Sequence, residues 1–406
     1  MGLFESYIKY LNENVGANHN FSEKYGDVYF LKKKISPSHL KKRVLLFSHE
    51  MGRTGAPIVL FDVAKILKEM NYFVLFISLE NGPLTQDIVD YGIPVIIDER
   101  MKDIEFDLSK TNEHIIIDDF INDFSFSIFN TLVLFNFINH YKNTDNRIVW
   151  WIHEGTTIVD IPWLQQLLPK EIGNNIETYC VSEYSSNILK SRNFDYSQKI
   201  MPYGVQNVEI NDNSQLVKDN DKFKMVCVGT FNERKGQRYL IDTIESSPAS
   251  INNNVEYYFV GDATDDYGRE QVNRLDKLIE NNNFIFRFPS MKREELLKLF
   301  NSVDAIIVPS LDDPLPVVAT ECMMLKKIVI CSDGTGTSSF IKDGESGYIF
   351  TKKSTESMKN AIENIISDKE NYEDIKKKAY DVYKKNFAFA IFKKNIVSKF
   401  IKRKLW

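Results

Sequence analysis

The chain has 406 residues, 43% hydrophobic and 26% charged, with a formal net charge of −5. This composition excludes a mainly disordered chain, because there is ample apolar surface to offset chain entropy. The acidic balance excludes the global basic footprint of a nucleic-acid binder, and four scattered cysteines with no Cys-x-x-Cys pair exclude a zinc ribbon or disulfide scaffold.

The cysteine pattern suits a reducing cytosol. The start, Met1-Gly2-Leu3-Phe4-Glu5-Ser6, lacks the order of a signal peptide. The apolar run Ile128–Ile138 is interrupted by Asn130 and Asn136 and is too short to span a bilayer. The expectation is a cytoplasmic protein, soluble or peripheral at the inner face of the membrane.

Residues 1–40 read as short polar helices or loops. Arg43–His49 is a continuous apolar run bounded by charge, which suits a strand buried on both faces. A glycine-bearing loop follows. From Ile58 to Met70 the spacing of Leu60, Val63, Ala64 and Leu67 predicts a helix, and Phe73–Leu79 predicts the next strand. This β-loop-α-β order is the unit of a parallel sheet with right-handed crossovers. Further strands are expected at Pro94–Ile97, His114–Ile117, Thr131–Phe135, Ile148–Ile152 and Thr178–Val181, with a helix over Ser182–Ser191 capped by Ser182. After the turn Pro202-Tyr203-Gly204-Val205 comes a stretch rich in Asn and Asp, Asn207–Asp221, which marks the main domain boundary.

A second alternation begins at Lys224–Val228. Strands are expected at Tyr257–Val260, Phe284–Phe288, Ala305–Val308 and Ile328–Cys331. Helices are expected at Gln237–Ile244, Gln271–Glu280, Arg293–Asn301 and Val317–Leu325, with strong helix formers from Ser354 onward. Two successive α/β units of similar size result, each Rossmann-like, facing a cleft.

The most informative segment runs from Val308 through Asp312-Asp313-Pro314-Leu315-Pro316-Val317 to Glu321. A buried strand ends, a loop carries acids, and a helix begins near Pro316. The N–H groups of a helix start favour phosphate. Asp313 precedes that start, and Glu321 lies one to two turns into the helix. One carboxylate could meet a sugar and the other a ribose, with phosphates between. The plain alternative is a capping Asp313 and a solvated Glu321.

The segment resembles the Glu-x7-Glu signature of the family 4 retaining glycosyltransferases of GT-B fold, with Asp313 in place of the first Glu and Leu315-Pro316-Val317 where the family usually has a Gly. In Val228-Gly229-Thr230-Phe231-Asn232-Glu233-Arg234-Lys235-Gly236, Lys235 is similar to the family's diphosphate lysine and Arg234 is a second cation; Thr230 stands where the family often has Arg. Gly55, in the loop after the first strand, resembles the family's glycine loop near the donor phosphates. His153, at the end of Val149–Ile152, is similar to the histidine that faces the donor sugar. Met201–Val205, Ser332–Gly336 and Lys342–Tyr348 resemble the family's later turns.

The resemblance implies a metal-independent, retaining transfer from a nucleotide diphosphate sugar, by family frequency a UDP-sugar, to a glycan or lipid-linked acceptor of surface polysaccharide synthesis. It implies Asp313, His153 and Lys235 as catalytic residues. It implies donor contacts from Gly55, Thr230, Arg234, Lys235, Leu315, Pro316, Val317 and Glu321, with no metal and no cofactor. The acid pairs Asp118-Asp119, Asp265-Asp266 and Asp312-Asp313 read as turn formers rather than metal ligands. The domains implied are 1–205, 206–385, and a terminal helix 386–406 returning to the first. That terminal segment is basic and amphipathic, and reads as this return helix, as a contact with an anionic membrane surface, or as both. The rival reading of the whole is a catalytically silent GT-B-like binding or chaperone subunit of a partner glycosyltransferase.

Overall fold

The computed structural model describes residues 42–102, 121–208 and 216–401, with the short pieces 9, 12–13, 19–20, 27–29, 118 and 210. Among the described residues the strands form two sheets. The first holds β1 (His19–Asn20), β2 (Asp27–Tyr29), β3 (Arg43–Ser48), β4 (Phe73–Ser78), β5 (Val95–Ile97), β6 (Phe126–Asn130), β7 (Ile148–Ile152), β8 (Ile176–Cys180) and β9 (Lys199–Ile200), in the order β1-β2-β5-β4-β3-β6-β7-β8-β9. From β5 to β9 every pair is parallel; β1 and β2 add antiparallel at the edge. The second sheet is wholly parallel: β10 (Phe223–Val228), β11 (Val255–Val260), β12 (Ile285–Phe288), β13 (Ala305–Val308), β14 (Ile328–Ser332) and β15 (Tyr348–Phe350), in the order β12-β11-β10-β13-β14-β15. Renumbered from its own first strand, this sheet runs 3-2-1-4-5-6. In that order the connections diverge between the first and fourth strands, and the crevice beyond their carboxyl ends is where such sheets take ligands.

The central strands are buried on both faces because helices cover them. In Gly55–Glu69, Leu60, Val63, Ala64 and Leu67 are all buried against the first sheet, as their spacing predicts. Ser182 caps the helix Glu183–Ser191, its hydroxyl accepting the Ser185 N–H at 3.4 Å.

Two expectations need correction. The strand expected at Thr131–Phe135 is Phe126–Asn130 instead; Leu132–Leu134 is a 3₁₀ turn and Phe135–Tyr141 a helix. An apolar run interrupted only by single polar residues does not show by periodicity where strand gives way to helix; pairing of Phe126–Asn130 with both β3 and β7 decides it. Residues 1–40 contribute two strand pieces rather than only helices or loops. The expected strand His114–Ile117 lies outside the described residues.

The chain returns to the first sheet at its end. Val205 donates its N–H to Phe387 O at 2.7 Å, and Tyr383 donates its hydroxyl to Val205 O at 3.0 Å. The helix Phe389–Asn395 continues as a π-helical turn, Ile396–Ile401. Phe392, Ile396 and Phe400 are buried there, with Phe400 against Trp151 and Tyr179. The return-helix reading of the terminal segment is therefore the one the fold shows for 386–401; Leu405 and Trp406 lie outside the described residues. Among the described residues no helix is long and apolar enough to cross a membrane.

Candidate active site

On the second sheet, β10 ends at Val228, and the chain turns through Gly229 and Thr230 into a 3₁₀ turn, Glu233–Lys235. Asn232 caps that turn by accepting the Lys235 N–H at 2.9 Å. Gly236 closes it at φ +70°, where a Cβ would lie 2.1 Å from Pro309 O. Glycine is required on both counts, left-handed backbone and close approach. The effect is to press the basic turn against the loop after β13. Lys235 Nζ stands 2.6 Å from Asp313 Oδ2, and Arg234 donates to the Asp312 carbonyl at 2.9 Å. The Asp313 backbone is fixed from behind: its N–H donates to Gly334 O at 3.0 Å and its carbonyl accepts the Gly336 N–H at 2.8 Å. Gln237 ties Thr230 in place, donating to its carbonyl at 3.0 Å.

The helix Val317–Met324 begins just beyond, with Pro316 at its N-cap. Glu321 is only 3% exposed, and its Oε1 accepts from Arg293 Nε at 2.9 Å. Burial raises the Glu321 pKa and the Arg293 charge opposes that rise. Glu321 is thus not a solvated charge. It lines a cavity of about 380 Å³ together with Val317, Arg293 and Tyr203, and with Gly55 and Ile58 from the helix after β3. A Cβ on Gly55 would meet no protein atom within 4 Å, so the packing of the protein itself does not demand glycine there. Leu315 is buried, and its carbonyl accepts the Tyr203 hydroxyl.

His153 ends the opposing wall. Asn130 Nδ2 donates to Ala56 O at 3.0 Å, which turns its Oδ1 toward His153 Nε2 at 2.8 Å. His153 therefore donates from Nε2 and keeps Nδ1 as an acceptor. Burial, with the His49 charge added, lowers its pKa from 6.5 to about 3. The next residue, Glu154, accepts the N–H groups of Leu132 and of His153, both at 2.8 Å. Burial nevertheless pushes Glu154 up to about 7 against those donors. Thr131 holds φ +117° and ψ 158°, a region nearly reserved for glycine. Its N–H donates to Trp151 O and its carbonyl accepts Trp150 Nε1, each at 2.8 Å, so its neighbours enforce that conformation.

The structure thus brings Gly55, Val317 and Glu321 to one cavity, and Lys235, Arg234 and Asp313 to one charge cluster. His153 lies on the first sheet's side. Sequence reasoning missed Arg293, Glu154 and the role of Asp312. Arg293 had no signal at all, being a charged residue at a helix start. Asp312 was visible only as half of an acid pair. Of the other pairs, Asp265 caps a helix through the Gly268 N–H at 2.7 Å, and Asp118 accepts the Tyr141 hydroxyl at 2.9 Å; Asp119 lies outside the described residues. Among the described residues no three His, Cys, Asp or Glu side chains stand together as a metal site.

Two family models match the chain: "Glycosyl-transferase family 4" over residues 40–160 and "Glycosyl transferases group 1" over residues 208–382. The chain belongs to the family 4 glycosyltransferases of GT-B fold. The two matches fall one on each sheet. The chain is 25% identical over 236 residues to the capsular polysaccharide biosynthesis glycosyltransferase CapH of Staphylococcus aureus, covering 56% of this chain and 64% of that relative. It is 21% identical over 195 residues to a glycogen synthase of Thermodesulfovibrio yellowstonii, covering 46% of this chain and 38% of the relative. The chain thus spans less than two thirds of either relative. Among solved structures, Anabaena HepE in complex with UDP superposes with a TM-score of 0.68 at 16% identity, covering 88% of this chain and 99% of that one. Sucrose-phosphate synthase from Thermosynechococcus elongatus superposes at 0.67 with 15% identity, covering 88% and 98%. At such identities the superpositions establish the GT-B fold.

Proposed function

We propose that this chain is a metal-independent, retaining glycosyltransferase that moves a sugar from a nucleotide diphosphate sugar, by preference a UDP-sugar, to a hydroxyl of a glycan or lipid-linked acceptor in surface polysaccharide synthesis. One observation carries the reading. Lys235 pairs with Asp313 beside a helix start at the crevice of a 3-2-1-4-5-6 sheet, and Glu321 of that helix shares a cavity with Gly55 of the other half. The UDP and UDP-glucose complexes of HepE and the capsular role in the name of CapH support the donor and the pathway class.

In this reading residues 1–205 carry the acceptor and 206–385 the donor nucleotide. Glu321 accepts from the ribose hydroxyls. The first N–H groups of Val317–Met324 have no partner within their helix and serve the diphosphate. Lys235 leaves Asp313 for the leaving phosphate, freeing that carboxylate for the sugar hydroxyls; Thr230 and Arg234 line the same side. His153, neutral, accepts a sugar hydroxyl at Nδ1. The bond from the anomeric carbon to the phosphate oxygen breaks, and the acceptor oxygen bonds to that carbon on the same face. Its proton passes to the leaving diphosphate oxygen. The cations and N–H groups supply the charge stabilisation that grows with the leaving group. NMR of the first-formed glycosidic bond tests the reading: a product with the donor's anomeric configuration is expected, and an inverted product overturns it.

A further inference from the structure

We infer that Asp312 is the latch that closes the two halves of the molecule on each other and thereby positions Asp313, its neighbour in the chain. Asp312 follows β13 of the second sheet, yet all four donors to its carboxylate belong to the first-sheet half. Oδ1 accepts the Thr156 N–H at 3.0 Å and the Tyr184 hydroxyl at 2.9 Å. Oδ2 accepts the Thr157 N–H at 2.7 Å and the Thr157 hydroxyl at 2.5 Å. A carboxylate has about four acceptor positions, so the group is saturated. It is 5% exposed.

Every partner is a donor, and that explains the residue type. Asn has nearly the same shape but would turn an N–H₂ toward donors it cannot satisfy. The partner strand end is shaped for the same contact. A Cβ on Gly155 would lie 2.0 Å from Asp312 Oδ1, while the Gly155 φ of −114° is open to any residue. Gly155 is therefore small to admit the carboxylate of the other half and not to permit a turn. Two further links from the same loop reach the same half: the Ser182 hydroxyl donates to Pro314 O at 2.6 Å, and the Tyr203 hydroxyl donates to Leu315 O. The Asp313 side chain turns back, to Lys235 at 2.6 Å and Arg234 at 3.9 Å. The loop thus holds the other half at Asp312, Pro314 and Leu315 while presenting the acid assigned to the sugar at Asp313. Opening the cleft breaks the Asp312 contacts as a set, and closing restores them with Asp313 in one place.

Closure itself does not depend on the glycosyltransferase reading; the kinetic consequence rests on it. The test compares wild type with Asp312→Asn, Gly155→Ala and the double variant, in the full chain. Small-angle scattering should give a larger radius of gyration for each variant, and amide exchange at 156–159 should accelerate while the central strands stay protected. Both single changes break one contact, so the double variant should be no worse than the worse single. UDP affinity should stay within about threefold, because the ribose and diphosphate contacts assigned to Glu321, Lys235 and the helix start all lie on the second-sheet half, while turnover of a UDP-sugar falls at least about tenfold. Thr157→Val, which deletes only one hydroxyl, gives a smaller step in the same direction and serves if Asp312→Asn folds poorly. Unchanged scattering and unchanged exchange in folded variants overturn the latch. Open variants with wild-type turnover overturn the positioning role. If no protein, wild type included, turns over any UDP-sugar, the function proposed above fails while scattering and exchange still judge the latch.

Discussion

The two acids of the proposed donor site differ in what surrounds them, and their losses should differ accordingly. Glu321 is buried in the cavity beside Gly55, and Asp313 is paired with Lys235. With Glu321 on the ribose, which donor and product share, Glu321→Ala should weaken UDP itself about tenfold to a hundredfold, as expected for lost hydrogen bonds to a charged group. Asp313→Asn should spare UDP and lower turnover, because a contact to the moving sugar appears in kcat. Calorimetric titration with UDP and steady-state rates separate them; a folded Glu321→Ala protein with wild-type UDP affinity shows the donor elsewhere. His153 and Glu154, adjacent in the chain, pull stability in opposite directions with pH. His153 stays neutral in the fold down to about pH 3, so between there and 6.5 the unfolded chain binds the extra proton and stability rises with pH. Glu154 keeps its proton in the fold up to about 7, so between 4.5 and 7 the folded chain binds the extra proton and stability falls as pH rises. Glu154→Gln should therefore gain on wild type from pH 5 to pH 8, by roughly 3 kcal/mol at most. His153→Asn should gain on wild type as pH falls from 7 to 4. Urea midpoints across pH measure both, and differences that do not vary with pH refute the assignment.

The terminal helix shows how an element's role depends on what covers its apolar face. Its Lys residues and aromatics suit a membrane surface as well as a core. Phe400 is 0% exposed, with its ring 5.6 Å from Trp151 and 5.1 Å from Tyr179. The backbone there is tied as well: Arg147 donates to Lys399 O at 3.1 Å, and Lys399 Nζ donates to Ile200 O at 2.7 Å. Phe400→Ala should cost about 3–5 kcal/mol in urea unfolding, the usual range for a buried Phe. A membrane-seeking Phe400 would instead lose liposome binding with no change in the unfolding midpoint. The β6 segment carries the same lesson: Phe126–Ile138 is mostly apolar, broken by Ser127, Asn130, Thr131 and Asn136, and pairing with β3 and β7 sets the strand at Phe126–Asn130.

At the scale of the molecule, ligand and stability are linked. Anything that binds the folded chain alone stabilises it by mass action, about 2.7 kcal/mol at a hundred times Kd. UDP should raise the melting temperature of wild type equally with and without excess EDTA if, as proposed, Lys235 and the helix start neutralise the diphosphate; the rise should shrink in Glu321→Ala. A shift that vanishes in chelator and returns with Mn²⁺ or Mg²⁺ refutes metal independence. The sequence alone determined the strands buried on both faces, the two α/β units and the chain positions of Asp313, Glu321, Lys235, Gly55 and His153. These are local facts, set by apolar runs and by which residue follows a strand end. Only the tertiary structure decided which groups meet. It closed Arg293 on Glu321 across 28 residues and turned Asn130 so that His153 must donate. It also assigned Asp312 to donors more than 120 residues away while its neighbour Asp313 faced Lys235. Pairing between distant segments depends on how sheets and helices stack, and hydrogen bonds of that range leave no spacing in the sequence to read.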